Sequence, residues 1–225
     1  NLSPMIKADF HLHTEYSPDS IAKLEDLYQK AQKVGLGKLI ITDHNTIEGA
    51  VKIQRKYPDF VVVGEEILTT SGEILAYFVQ EEIPEGLEPV EALKRLKDQG
   101  AFISLAHPYA FKRNGWQPEE MIAYLPWIDA IETRNGRNPK SLNLPAIRFA
   151  AEHQLPGTAG SDGHSLHEFG KIGLELPDFS DADSLRKAIR DAVPFGEEAP
   201  AYVHLYSRYA VLNKKLRKKA TPKNA

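Results

Sequence analysis

Short apolar runs alternate with amphipathic stretches along almost the whole chain, and this alternation leaves few folds open to it. Strand-like runs fall at 6–13, 38–44, 60–68, 73–79, 101–107, 130–134 and 155–161. Helix-like stretches at 21–34, 47–57, 89–99, 118–124 and 141–153 separate most of them. The punctuation agrees. Gly35 and Gly37 close the first helix and Gly100 the third, while Pro89 and Pro118 stand in first helical turns, where a missing amide donor is tolerated. One hairpin interrupts the series at Thr69-Thr70-Ser71-Gly72. The plan is α/β; an open doubly wound sheet and a closed barrel both fit it. About seven strands in roughly 200 residues favour a small or distorted barrel.

Composition narrows the chemistry. The 225 residues, 42% hydrophobic and 26% charged, suffice for one full core, and the formal charge of -3 gives no global pull towards nucleic acid or an anionic membrane. The expected organisation is a barrel over 1–197 followed by a C-terminal helix and basic tail over 198–225. There is no cysteine, so disulfides, thiolate metal sites and a cysteine nucleophile are excluded, and any metal site must use nitrogen and oxygen. Nothing resembles a run of about twenty apolar residues or a signal peptide. The expectation is a cytoplasmic protein without a membrane partner, whose start at Asn1 is compatible with trimming.

Histidines and acids gather where strands end. His11, His13, His44, Glu66, His107, Glu132, Asp162 and His164 all fall at or near the C-terminal ends of the strand-like runs. In a parallel barrel those ends converge on one rim, where such folds place their chemistry. His11 and His13 share a face by strand alternation, which suits a metal ion, although two exposed or structural histidines give the same pattern. Asp19 is either an N-cap for the helix near Ile21 or a carboxylate turned back towards the histidines. In Gly64-Glu65-Glu66-Ile67, alternation sends one carboxylate inward, where it needs a metal or a cation. His153 and His204 read as structural or solvated.

Cations for a developing phosphate charge are available in Lys112, Arg113, Arg134 and Arg137, just beyond the rim strands. Arg137 is the first choice for a phosphate contact, with Arg134 beside it, and His167 is a candidate proton donor to a leaving group. Near the C-terminus, 181–192 reads as a helix. Tyr202, Leu205, Tyr206, Tyr209 and Leu212 then make an apolar stripe expected to dock on the barrel. The cluster Lys214, Lys215, Arg217, Lys218 and Lys219 reads as a solvated end, with a nucleic-acid contact as the alternative.

Taken in order, Asp9-Phe10-His11-Leu12-His13-Thr14 with Asp19, Thr42-Asp43-His44-Asn45, Gly64-Glu65-Glu66, Ala106-His107-Pro108 and Gly160-Ser161-Asp162-Gly163-His164 resemble the polymerase and histidinol phosphatase (PHP) superfamily over residues 5–197. The resemblance implies a distorted (β/α)7 barrel with two or three divalent ions, zinc, manganese or iron, at the C-terminal rim. It implies one ion on His11, His13, Glu66 and Asp162, a second on Asp19, His44 and His164, and a third on Glu66, His107 and a residue of the hairpin strand. That last position departs from many relatives, since Glu73 stands where they carry histidine.

The implied activity is hydrolysis of a phosphomonoester or small phosphodiester, with a phosphate-ester small molecule or a nucleic-acid end as the partner. A nuclease, a metal-binding module without catalysis, and hydrolysis of a carbon-nitrogen bond are the alternatives.

Overall fold

In the computed structural model, which describes residues 4–220, nine strands curl into a nearly closed barrel. In chain order they are β1 (Met5–Asp9), β2 (Lys38–Ile41), β3 (Val61–Leu68), β4 (Glu73–Tyr77), β5 (Phe102–Leu105), β6 (Ala130–Asn135), β7 (Gly157–Gly160), β8 (Ile172–Pro177) and β9 (Val193–Gly196). Their order in the sheet is β7-β6-β5-β4-β3-β2-β1-β8-β9. Pairing is parallel along β1-β2-β3 and β5-β6-β7, and antiparallel where β4 is inserted and where β8 and β9 join β1. The expected distorted barrel is therefore present, with β8 and β9 added to the seven strands foreseen.

The helices are α1 (Leu24–Lys33), α2 (Glu48–Gln54), α3 (Pro89–Asp98), α4 (Pro118–Tyr124), α5 (Lys140–Glu152), α6 (Ala182–Ala188) and α7 (His204–Ala220). Strand alternation divides the apolar residues into two layers. Leu39, Ile41, Val61, Val63, Ile67 and Ile103 pack outward against α1, α2 and α3 through Leu27, Ile53 and Leu93. Ile40, Val62, Leu75, Tyr77 and Phe102 point inward with Phe10, where Phe179, Leu185 and Ile189 from α6 and its flanks join them. Phe10 stands edge-on to Tyr77 at 5.5 Å and stacks on Phe179 at 6.0 Å. Each such buried ring contributes about 1.5–3 kcal/mol. The lower half of the barrel is thus filled with hydrocarbon, which leaves the upper half for polar groups.

The barrel closes at the rim. Beyond β1 the chain turns to β7, with Phe10 N donating to Ala159 O at 3.3 Å, Asp162 N to His11 O at 2.6 Å and His13 N to Gly163 O at 2.9 Å. A Cβ on Gly160 would lie 2.4 Å from His11 N, so only glycine permits this approach. The foreseen strand 6–13 is therefore interrupted: Phe10 and His11 both turn towards the barrel axis before alternation resumes. The hairpin forms as expected, with Thr69 N and Thr69 Oγ1 both donating to Gly72 O at 3.0 and 2.6 Å.

The last helix differs from expectation. Tyr202, Leu205, Tyr209 and Leu212 are each more than half exposed and face outward. The docked stripe is Val203, Ser207, Ala210 and Lys214, at helical spacing. The rim beneath is polar, and it is matched by a carbonyl, a hydroxyl and an ammonium. Arg137 Nη2 donates to Val203 O at 2.9 Å and Nη1 to Ser207 Oγ at 2.6 Å, while Lys214 Nζ donates to Glu15 O at 2.8 Å and to Ser17 O. The side chains of Arg217, Lys218 and Lys219 lie outside the described residues. No helix among the described residues is long and apolar enough to cross a membrane.

Candidate metal centre

The inward face of β3 runs Val62, Gly64, Glu66, so the register that packs the barrel floor also delivers one carboxylate to the rim. Glu66 is fully buried at the middle of a cluster. Its Oε2 lies 3.3 Å from His11 Nε2, 3.3 Å from His13 Nε2 and 3.0 Å from His44 Nδ1, and its Oε1 lies 3.0 Å from His107 Nε2. Asp162 Oδ1 stands 3.7 and 3.3 Å from the same Nε2 atoms of His11 and His13. Asp19 Oδ2 is 2.8 Å from His164 Nε2 and 3.5 Å from His44 Nε2. His107 Nε2 also meets Glu73 Oε2, at 3.2 Å.

All nine foreseen ligands therefore come together. Asp19 takes its carboxylate role: α1 begins at Leu24 behind Lys23, and no side chain caps it. Glu66 faces inward as alternation requires, and Glu65 is buried too because the outward face of β3 is covered as well. Glu65 accepts a hydrogen bond from Ile83 N at 3.1 Å, and burial pushes its carboxyl up to about 8.

Outer partners set which ring nitrogen faces the centre. The Glu132 carboxylate takes His11 Nδ1–H at 2.8 Å, and the Asp162 carbonyl takes His164 Nδ1–H at 2.7 Å. Ser17 Oγ gives its hydrogen to Asp43 at 2.8 Å, and so it accepts from His13 Nδ1 at 3.2 Å. Each of these rings turns its Nε2 inwards. His11 Nε2 and His13 Nε2 face each other at 3.1 Å, close enough for one ion or one proton to serve both.

The carboxylates need positive charge. Among the described residues, Glu66 Oε2, Asp162 Oδ1 and Asp19 Oδ1 are buried without a well-aligned hydrogen bond. Although burial opposes it, His11 and His44 hold the Glu66 carboxyl well below the usual range, and Arg113 and His11 do the same for Asp162. Reciprocally, and again against burial, Glu66 and Asp19 push His44 up to about 10, while Glu66 and Glu73 push His107 up to about 9. Burial, with His164 and His44, pushes His13 down to about 3. This cluster of carboxylates recruits positive charge, and divalent ions fit the donor set. Among the described residues, three groups have ligand atoms within 4.8 Å of one another: His13, His44 and His164; His11, His13 and Glu66; and His44, Glu66 and Glu73.

The rim backbone is strained at the same place, since His107 and Asp162 take positive φ of 24° and 51°. Arg113 reaches in from the turn after β5, donating from Nη2 to Asp162 Oδ2 and leaving Nη1 buried without a partner.

The three residues expected to act on substrate are placed differently. Arg137 borders the pocket but is buried and committed, with Nε on Glu168 Oε1 at 2.9 Å, Nη2 on Val203 O just before α7 and Nη1 on Ser207 of α7. Arg134 turns to the outer side, where it donates to Gly196 O at 2.9 Å and pairs with Glu198 at 3.7 Å. His167 is exposed and stacks near Tyr206 at 6.4 Å, away from the cluster. Two separate irregularities accompany these placements: the register shift between Glu132 and Arg134, and the turn after His164. Sequence reasoning missed Glu132 and Ser17 as orienting groups, and His204 and Arg208 of α7, which line the pocket above the cluster.

Comparison with known proteins converges on one family. The sequence model of the PHP domain matches residues 9–69, and that of a PHP-associated region matches 140–194. An uncharacterized protein of Methanocaldococcus jannaschii, MJ1587, is 41% identical over 118 residues, which cover 47% of this chain and 69% of that one. Two solved structures share the fold. A two-domain protein containing a predicted PHP-like metal-dependent phosphoesterase from Bacteroides vulgatus has a TM-score of 0.71 at 20% identity, over 88% of this chain and 67% of that chain. The lesion-specific endonuclease PfuEndoQ from Pyrococcus furiosus has a TM-score of 0.62 at 17% identity, over 84% and 56%. The matched motifs contain His11, His13, Asp19, His44 and Glu66 of the cluster, and with a barrel of the same fold around them the chain belongs to the PHP domain family.

Proposed function

We propose that the chain hydrolyses a phosphomonoester or a small phosphodiester with the aid of two or three divalent ions. The observation that carries the reading is the set of buried carboxylate oxygens of Glu66, Asp162 and Asp19, which make no well-aligned hydrogen bond among the described residues and are interleaved with inward-facing imidazole nitrogens. His11, His13, Glu66 and Asp162 would hold one ion, Asp19, His44 and His164 a second, and Glu66, His107 and Glu73 a third. Bound there, divalent ions supply Lewis-acid polarisation of a phosphoryl oxygen and a water of lowered pKa.

The rest is the work of the chain. Glu132 holds His11 by its Nδ1 and also accepts from His107 N at 2.8 Å and Asn135 Nδ2 at 3.1 Å, so one carboxylate fixes two ligand-bearing loops. Arg113 lines the pocket at the edge of the cluster, and its Nη1, which makes no hydrogen bond among the described residues, would turn to a phosphate oxygen. Glu73 adds a hard oxygen donor 3.2 Å from His107 Nε2, a ligand type that binds manganese or zinc and adds negative charge to the site.

Elemental analysis of protein purified without added metal, paired with turnover of a generic phosphomonoester and a phosphodiester, tests the reading. Two or three ions per chain and cleavage that stops on chelation are expected. Bound metal without cleavage of either ester would leave a non-catalytic module, and cleavage confined to oligonucleotides would make the chain a nuclease.

A further inference from the structure

The pocket above the cluster has a volume of about 380 Å³ and two unlike sides. Asp19, His44, Glu73 and His164 form its floor, and α7 stands over one flank. That helix lies beyond both matched family regions, which end at residue 194. It is fixed at two places across the rim, by Arg137 at Val203 and Ser207 and by Lys214 at the loop after β1. With Val203, Ser207, Ala210 and Lys214 facing the barrel, helical geometry turns His204 and Arg208, four residues apart, to one side. That side is the pocket, which both residues line.

The cations around the pocket differ in what they are free to do. Arg137 is held by Glu168, and Arg113 is held through one nitrogen by Asp162. Arg208 is exposed, and it makes no hydrogen bond or ion pair among the described residues. A guanidinium over an anionic floor, without a protein partner of its own, is placed to meet an anion that enters between them. His204 lies close enough to Arg137 and Arg113 that burial and these two charges hold its pKa below the usual histidine value, so it adds a neutral polar edge rather than a competing charge.

We propose that α7 is the substrate wall of the metal pocket and that Arg208 receives a non-bridging phosphate oxygen of a small phosphomonoester there. This rests on the phosphoesterase reading. Arg208 is a specificity-determining residue under this assignment: it favours the dianionic monoester over the singly charged diester.

The test uses the metal-loaded full chain, with Arg208→Gln, Arg208→Lys and, as a surface control, Arg55→Gln. Two quantities are measured: KM and kcat for p-nitrophenyl phosphate and its bis-ester, and the Kd of inorganic phosphate by calorimetry. Arg208→Gln is expected to raise the monoester KM and the phosphate Kd together by about tenfold. The kcat should stay within about threefold and the bis-ester KM should move less, with Arg208→Lys recovering part of the loss and Arg55→Gln behaving as the parent chain. A phosphate Kd unchanged in Arg208→Gln, or no phosphate binding by the parent chain, would overturn the proposal. If the parent chain binds phosphate and loses that binding with Arg208→Gln, yet cleaves neither ester, the wall stands and the phosphoesterase reading fails.

Discussion

The cluster is held in a single arrangement by groups that never reach its centre. Glu132 is the plainest case, since its two oxygens accept from His11 Nδ1, His107 N and Asn135 Nδ2. Replacing it with glutamine keeps the shape but offers an amide where a strong acceptor stood, so His11 loses both its orientation and part of its basicity. Glu132→Gln is expected to weaken metal binding by about 10–100-fold, measured by competition with a coloured chelator, with little change in far-ultraviolet circular dichroism. Single residues were legible in the sequence where they sit at strand ends, as His11, His13, His44, Glu66, His107, Asp162 and His164 do, whereas Asp19 and Glu73 entered the set only through the family resemblance. What could not be read was the commitment of each arginine. Arg137 looks free in the sequence, and only the fold shows Glu168, 31 residues away, taking its Nε.

At the scale of elements, the helix plugging the floor is the one whose start is best defined. Asp181 accepts from Ser184 N at 2.7 Å, and Ser184 Oγ returns to Asp181 N at 3.0 Å, a reciprocal cap that places Leu185 under Phe10 and Tyr77 in the barrel interior. Asp181→Ala is expected to lower stability by about 1 kcal/mol in urea unfolding while leaving metal content unchanged, because the cap lies at the opposite end of the barrel from the rim. Most elements follow their sequence patterns, since alternation and glycine or proline punctuation are local properties. β8 carries a strand pattern too, with Ile172, Leu174 and Leu176 alternating against Gly173 and Glu175, whereas Val193–Gly196 offers no period and is a strand only because β8 lies beside it. The stripe on α7 was legible as a period but not as a direction. Helical spacing is the same whether a face meets solvent or protein, and the rim beneath is polar enough to select the other face.

The whole molecule is built with its charge problem at one end. Hydrocarbon fills the floor, while Glu66, Glu132 and Asp162 are all but fully buried at the rim beside the imidazoles of His11, His13 and His107. Such a protein gains stability from whatever ion satisfies those carboxylates, provided the unfolded chain binds it weakly. Manganese meets that condition better than zinc, since dispersed histidines and carboxylates of an unfolded chain hold it poorly. At about 100 times its Kd, a single bound ion stabilises the native state by roughly 2.7 kcal/mol. For a chain of 225 residues each kcal/mol moves Tm by about 2–4 °C, so addition of manganese to chelator-treated protein should raise Tm by about 5–10 °C. Glu66→Gln removes the carboxylate that every proposed group but one shares, and its Tm should rise by less than about 2 °C over the same titration. A parent chain whose Tm ignores manganese, zinc and iron alike would mean that protons on His11, His44 and His107 already satisfy the rim, and that the cluster is a buried ion network rather than a metal centre.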